Sequence, residues 1–437
     1  MNPLAQELNE QILKESPALL EMLSARGKGL FFPKGILTQS AEAKLKAKKF
    51  NATIGIATEN GVAMHLPCIR KYIDPIAPND ALTYAPASGK AELRSRWQEK
   101  LLADNPNLKG KQFSVPVVTS AITHGLSLVG DLFVDPGDVI VLPDKLWGNY
   151  RLIFGERLGA TFKTFPLYHE KNGFNGGGLK KALDETVRDR RKALVLLNFP
   201  NNPTGYSITR QEADDITAVL KDHASRGARL VVVHDDAYFG LFYEDDVMKE
   251  SLFSHTANLD GNILAIKLDG ATKEQYVWGL RVGFITYGIG GPANKEVIYG
   301  ALEKKTMGAI RGGISNSPHL SQTLVLKALE SKEFAGEAKE KYEVMKARAL
   351  RVKEVLSNPK YSDAWTYYSF NSGYFMCLRL KSVNAEALRL HLLDRYEVGV
   401  IAVDATDVRI AFSCIEVEFI QELFDIIYQG VKDLTAK

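Results

Sequence analysis

Several segments of this 437-residue chain hold reactive side chains at spacings that chemistry can use. Lys273 stands in GATKEQYVWGLRVGF, with Arg281 eight residues on and Val282-Gly283 directly after it. Two carboxylates and a phenol, Asp235, Asp236 and Tyr238, stand in HDDAYFGL. Asn202 follows an apolar run in ALVLLNFPNNPTG, and Thr123 lies in TSAITHGLSL. Arg409 in DVRIAFS and Arg311 in IRGGISNSP add two guanidinium forks. An amine can bond a carbonyl carbon, a carboxylate can hold a cationic ring nitrogen, and a guanidinium matches a planar carboxylate or a phosphate.

That combination is what a pyridoxal 5′-phosphate site requires. A lysine must form an imine with the cofactor aldehyde. A carboxylate must face the pyridine nitrogen and keep it protonated, so that the ring accepts the electrons released when a substrate Cα loses its proton. Neutral donors beside the ring hydroxyl tune the imine, and an arginine with a helix N-terminus holds the phosphate.

The elements that would position these groups are legible in outline. From about residue 84, helical segments (GKAELRSRWQEKLLA, THGLSLVGDLFV, WGNYRLIFGERLG, TRQEADDITAVLKDHASRG) alternate with short β-branched runs (VPVVTS, DVIVLP, ALVLLNFP, RLVVVHDD, ILAIKLD, RVGFITYG). Short apolar strands between helices predict an α/β fold with a mostly parallel sheet buried on both faces. Ligands of such sheets bind beyond the carboxyl ends of the strands. Asn202, Asp235, Lys273 and Thr123 all follow predicted strands closely. DPGD at 135–138 and NNPTG at 201–205 are turn signals. Upstream, residues 4–26 predict a helix broken at Pro17, SAEAKLKAKKF a second helix capped by Ser40, and NATIGIATENG a strand running into a glycine turn. Downstream of residue 293 helices dominate, including the long charged SKEFAGEAKEKYEVMKARALRVKEVLS. YYSFNSGYFMCLRL, GVIAVD and DVRIAFSCI, with helices near 384–395 and 416–434, then predict a smaller α+β domain. The expected division is an N-terminal arm over 1–50, a large domain over 51–310, interdomain helices over 311–345 and a small domain over 346–437.

Composition narrows the function classes. Lys plus Arg is 55 and Asp plus Glu is 52, a formal charge of +3 that gives no electrostatic case for nucleic acid or an anionic membrane. Cys68, Cys377 and Cys414 are far apart and lack metal-ligand spacing, which predicts reduced thiols and no metal site. The first residues lack the basic start and apolar core of a secretory signal, and no stretch reaches membrane-spanning length, so a cytoplasmic protein is expected.

The motifs resemble those of the class I pyridoxal-phosphate aminotransferases, closest to the aspartate and aromatic aminotransferase branch, over about residues 54–413. The resemblance implies a fold type I architecture: a large domain with a mostly parallel seven-stranded sheet flanked by helices, plus a smaller α+β domain. It implies that Lys273 is the Schiff-base lysine and proton shuttle, and Arg281 the phosphate clamp. Asp235 keeps the family spacing to Ala237 and Tyr238, which assigns it to the pyridine nitrogen and Tyr238 to the ring oxygen, with Asn202 beside the same oxygen. Ala121, Ile122 and Thr123 match the phosphate-receiving segment, with Ala121 and Ile122 where glycines are usual. Trp147 matches the aromatic residue stacked on the ring. The family's histidine three residues later is Tyr150 here, and the hydroxyl three before the lysine is Gly270. Tyr84 in LTYAPASG matches a tyrosine reaching the phosphate of a neighbouring subunit, which implies a homodimer with shared active sites. Arg409 matches the α-carboxylate clamp, and Gly55 in TIGIA a glycine that admits substrate. Arg311 matches a partner-supplied arginine for distal carboxylates.

The expected activity is transfer of an amino group between an α-amino acid and a 2-oxo acid, with dicarboxylic and aromatic substrates in scope. Two competing readings are a pyridoxal-phosphate lyase or decarboxylase on the same scaffold, and a cofactor-binding regulatory module without turnover. A nucleotide-binding dehydrogenase is disfavoured because no G-x-G-x-x-G follows an early strand.

Overall fold

The β-branched runs of the first two thirds of the chain form strands, and each ends on or just before a polar or turn residue. A computed structural model describes residues 36–436, apart from 54, 73–74, 171–172, 189–191 and 292–293, with a few scattered positions before residue 36. The helix expected over 4–26 and its break at Pro17 lie, but for a few positions, outside the described residues.

The chain opens with α1 (Ile36–Lys46), β1 (Phe50–Asn51) and a hairpin of β2 (Thr58–Glu59) and β3 (Val62–Ala63). Then come α2 (Ala91–Asp104), β4 (Val117–Ser120), α3 (Ala121–Phe133), β5 (Val139–Pro143) and β6 (Thr161–Phe165). Next are α4 (Gly176–Val187), β7 (Lys192–Asn198), α5 (Arg210–Ser225), β8 (Arg229–Asp235), β9 (Ile263–Gly270) and β10 (Val282–Ile289). Helices α6 (Lys295–Gly313), α7 (His319–Glu330) and α8 (Phe334–Leu356) lead to the last part. That part holds β11 (Trp365–Tyr367), β12 (Phe375–Leu380), α9 (Ala385–Tyr396), β13 (Val398–Gly399), β14 (Ile401–Ala402), β15 (Asp407–Ala411) and α10 (Ile420–Thr435).

The main sheet has seven strands in the order β4-β10-β9-β8-β7-β5-β6, and only β10 runs against the others. Its central strands are buried on both faces, which explains why β7 and β8 read as continuous apolar runs. Helix α5 starts in a capping box, in which Thr209 and Glu212 satisfy each other's backbone N–H groups. A second, antiparallel sheet has the order β11-β12-β15-β14. Helix α1 lies against it: Gln39 exchanges hydrogen bonds with the Ala402 backbone at 3.0 and 2.8 Å, and β1 pairs with β13.

Three local expectations change. Helix α1 begins four residues before Ser40, so Ser40 sits inside it and is no cap. The segment 51–61 is not one strand. Beyond Asn51 the Ala52 backbone bonds Gly399 and Ala411 instead, and Asn60 and Gly61, both at positive φ, close the small hairpin β2–β3. The segment 147–159 winds as a π-helix over Arg151–Glu156, where the Arg157 N–H donates to the carbonyl of Leu152 five residues back. Strand β6 and helix α4 were not foreseen: β6 alternates weakly, and α4 starts on three glycines that carry no helical signal. Among the described residues no helix is long and apolar enough to cross a membrane.

The two sheets meet at the NNPTG turn. Asn371 and Ser372 both donate to the Gly205 carbonyl, at 3.0 and 2.9 Å. Gly205 has φ +76°, and a Cβ there would collide with the carbonyl oxygen of Phe375. Gly205→Ala is therefore expected to lower unfolding stability by ~2–4 kcal/mol, from left-handed strain plus overpacking. Denaturant titration checks this, and a change under about 0.5 kcal/mol would contradict the tight approach.

Candidate active site

Neighbouring strands end level with one another, so the residues just past them converge. Asn198 at the end of β7 pairs in register with Asp235 at the end of β8, and Asp235 with Leu268 on β9. Because β10 is reversed, its first residue, Val282, lies beside Ser120 at the end of β4. A cavity of about 330 Å³ opens at this edge. Lys273, Asp235, Tyr238, Asn202, Arg281 and Arg409 border it, as do Gly55, Ile122, Thr123 and Trp147. Ala121 is buried behind Ile122 and does not border it. Tyr84 is 88% exposed, and Arg311 is exposed and donates to Ser315 Oγ at 2.6 Å. Neither borders the cavity in this chain.

Asp235 is almost fully buried. It accepts a hydrogen bond from Tyr150 Oη at 2.6 Å and one from the Ala237 backbone N–H at 3.2 Å. Burial raises its pKa, while the Tyr150 bond and the charge of Lys273 pull the other way. Asp236 turns aside: Ser251 Oγ donates to it at 2.5 Å, and it forms an ion pair with the buried Lys267. The adjacent carboxylates thus have different partners, and only Asp235 borders the cavity. Lys273 Nζ lies 5.0 Å from the centre of the Tyr238 ring. Burial brings its pKa down from 10.5 to about 8; Asp235 opposes the fall and Arg281 adds to it.

Arg409 is 2% exposed. Nη1 donates to Asn202 Oδ1 and Nη2 to the Thr53 carbonyl, each at 2.9 Å, and Nε has no partner. The guanidinium rests 4.1 Å from the centre of the Phe375 ring. Its acceptors are neutral, so its charge awaits an anion. Asn202 is itself held by Asn198, whose Oδ1 accepts from the Asn202 N–H at 2.8 Å and whose Nδ2 donates to the Asp235 carbonyl at 2.8 Å.

At the other end of the cavity the first turn of α3 offers free backbone N–H groups. Gly283 lets this turn approach β10: a Cβ there would come within 2.7 Å of the Ala121 carbonyl carbon. Ala121 has φ +63°, a conformation that costs an alanine about 1 kcal/mol and a glycine nothing. Arg281 adds a guanidinium, bonded only to the Trp278 carbonyl at 3.2 Å. Thr272 Oγ1 and Trp278 Nε1 are buried without partners, and both residues border the cavity.

The sequence had not singled out Thr272, Asn198, Phe375 or Trp278, whose types are common in cores. Tyr150 had a visible signal, its place three residues after Trp147, and here it supplies the hydrogen bond to Asp235. Together the walls offer an amine, a buried carboxylate, an aromatic face and a cluster of anion donors with orphaned hydrogens. These complement the aldehyde, ring nitrogen, ring and phosphate of pyridoxal 5′-phosphate. Among the described residues no cluster of His, Cys, Asp and Glu could hold a metal ion.

The family model for aminotransferase class I and II matches residues 57–427. The chain is 26% identical over 286 residues to a probable aspartate/prephenate aminotransferase of Aquifex aeolicus, covering 63% of this chain and 64% of that one. It is 30% identical over 174 residues to an aspartate aminotransferase of Musicola paradisiaca, covering 39% of each. The aligned stretches thus span less than two thirds of these curated relatives. An aminotransferase of Anaerococcus prevotii superposes with a TM-score of 0.83 at 24% identity, over 94% of this chain and 99% of that one. Class I aminotransferases of this fold depend on pyridoxal 5′-phosphate. Since the matched range takes in most of the chain, Lys273, Asp235 and Arg409 included, the protein belongs to the class I and II aminotransferases.

Proposed function

We propose that the protein is an aminotransferase that carries an amino group from an α-amino acid to a 2-oxo acid in two half-reactions. One observation carries the reading: a buried guanidinium with only neutral acceptors and a lysine amine with a lowered pKa border the same cavity. The first suits a carboxylate, the second a carbonyl and a proton.

Pyridoxal 5′-phosphate, when bound, supplies an aldehyde for the amino nitrogen and a sink for the electrons left when Cα is deprotonated. Lys273 would hold it covalently, and Arg281, Thr272, Thr123 and the first turn of α3 would hold its phosphate. Trp147 would cover a ring face, with Asn202 and Tyr238 near the ring oxygen. Asp235 would face the ring nitrogen, and the proton donated by Tyr150 favours its ionised form. Arg409, backed by Phe375, grips the substrate α-carboxylate and orients Cα. Lys273 Nζ, as a free amine, would take the Cα proton as general base. The second half-reaction runs the same steps in reverse on another 2-oxo acid.

The substrates we assign are aspartate, glutamate and 2-oxoglutarate, with aromatic side chains sharing the pocket. Relatives named for aspartate and prephenate support that class. Tyr84 and Arg311, exposed here, are assigned to the cavity of a second copy in a homodimer. The proposed domains are the large one over 51–310 and the small one over 346–437, joined by helices over 311–345. Three cysteines without a disulfide fit a cytoplasmic location.

Four outcomes are expected. Lys273→Ala ends covalent retention of pyridoxal 5′-phosphate and lowers amino transfer to 2-oxoglutarate by about four orders of magnitude; a variant keeping both would remove the assignment. The amine reacts as its free base, so cofactor uptake by cofactor-free protein should rise about tenfold per pH unit and level off near pH 8. The same shift makes the cofactor-free fold gain stability between about pH 8 and 10.5, where the unfolded chain still holds a proton that the folded chain has lost. Uptake that keeps climbing to pH 10.5 would mean that burial does not tune this lysine. Arg311→Ala should lower kcat/KM for dicarboxylic substrates by about one to two decades, as loss of a charged hydrogen bond does, with a smaller loss for aromatic ones. Steady-state kinetics on both classes decides this, and equal losses would contradict the role.

A further inference from the structure

We infer that Tyr374 is a positioning residue that aims Lys273 into the cavity, by holding its carbonyl and by backing the ring on which its amine rests. The inference rests on the assignment of Lys273 above, and it adds a residue that none of the catalytic motifs contains.

Lys273 sits on a single helical turn, Ala271–Glu274. So short a turn satisfies few of its own carbonyls. That of Lys273 receives the Tyr276 N–H at 3.3 Å, a long bond. The turn is therefore held from outside, on two sides. On one, Lys100 of α2 bonds the Glu274 carboxylate. On the other, Tyr374 Oη donates to the Lys273 carbonyl at 3.0 Å, from 101 positions away in sequence.

Tyr374 is fully buried, one residue before β12. Its ring meets that of Tyr238 edge-on, with centres 5.4 Å apart. Lys273 Nζ lies 5.0 Å from the centre of that same Tyr238 ring. One side chain thus supports both ends of the lysine: its hydroxyl holds the backbone, and its ring backs the surface under the amine. Tyr374 is fixed in turn through its neighbour. The Gly373 N–H donates to the Leu241 carbonyl at 2.8 Å, and the Gly373 carbonyl accepts from Tyr243 Oη at 2.7 Å. Burial holds the Tyr374 phenol well above its ordinary pKa, so it remains a donor over the range in which Lys273 titrates. The next residue, Phe375, lies under Arg409, so the entry to β12 supports the lysine and the carboxylate clamp with successive rings.

Without the hydroxyl the turn loses its anchor on this side, and Nζ gains freedom to leave the Tyr238 ring and reach water. The amine is then desolvated less, so its pKa rises from about 8 toward the ordinary 10.5. It is also less often placed to take a Cα proton. The charges that act on Nζ, Asp235 and Arg281, are unaltered, as are Glu274 and Lys100 behind the turn.

The test compares Tyr374→Phe with the unaltered full chain. The substitution removes one oxygen and keeps the ring, and the Lys273 carbonyl keeps the Tyr276 N–H, so the variant folds. Uptake of pyridoxal 5′-phosphate by the cofactor-free variant should level off about half to one pH unit higher than in the unaltered protein. With the cofactor bound, kcat should fall about three- to tenfold. KM, and the calorimetric Kd of 3-phenylpropionate, a carboxylate that cannot react, should stay within about twofold, because Phe375 and Arg409 are untouched. Tyr287→Phe reports lost stability alone: Tyr287 is equally buried, its hydroxyl meets Thr306 Oγ1 at 2.7 Å, and it does not border the cavity. It should lose comparable stability in denaturant titration and leave the uptake profile and kcat unchanged. An unmoved profile in Tyr374→Phe, a kcat within about twofold, an equal loss of carboxylate binding, or the same shift in Tyr287→Phe would overturn the inference while leaving Lys273 as the cofactor amine. Failure of the unaltered protein to take up the cofactor would remove the Lys273 assignment and this inference with it.

Discussion

Strand register is the constraint on which the site depends. Asn198, Asp235 and Leu268 lie abreast on three hydrogen-bonded strands, and Gly270 lies beside Gly283 on the reversed fourth. A slip of one residue in β8 would exchange the directions of Asp235 and Asp236. The carboxylate now bonded to Tyr150 would turn toward Lys267 and leave the cavity. The register is fixed by long apolar runs buried on both faces, so the energy that sets the chemistry comes from residues with no polar atoms in their side chains.

Charge is distributed by the same logic. Buried cations outside the cavity have carboxylate partners: Lys267 has Asp236 and Asp269, Arg389 has Glu42 and Glu386, and Arg348 has Glu416. Such pairs are needed because an uncompensated buried charge costs several kcal/mol, roughly. The cations that border the cavity differ. Arg409 and Arg281 bond only amide or carbonyl oxygens, and burial lowers the pKa of Lys273. A positive surface left incomplete in this way is a binding site for anions, and its two ends suit a carboxylate and a phosphate.

Much of this was legible in the sequence because strand and motif signals coincide. VPVVTS, ALVLLNFP, RLVVVHDD and ILAIKLD each end beside a residue of the cavity, so periodicity and chemistry point to one edge. The spacing in HDDAYFGL distinguished Asp235 from Asp236, and the structure gives them different partners. Less legible was whatever depends on contacts between distant segments. Phe375 under Arg409, Asn198 behind Asn202 and Lys145 against Asp407 are far apart in sequence and belong to no motif. Ser40 misled because a serine before an apolar stripe is a good cap, yet contacts with the second sheet extend the helix past it. Tyr84 and Arg311 match by spacing, which specifies a residue type and leaves open which cavity it reaches.

The reversed strand β10 has a geometric corollary. Because β9 and β10 are hydrogen-bonded neighbours running in opposite directions, one short connection over 271–281 joins them, and it carries both Lys273 and Arg281. The amine and the guanidinium fork are thus two jaws of a single caliper, set on opposite sides of the cavity that both border. Insertions in the crossovers on the parallel side would leave that gauge unaltered. A residue added within this hairpin loop would reset it, so its length is the part of the fold least free to drift.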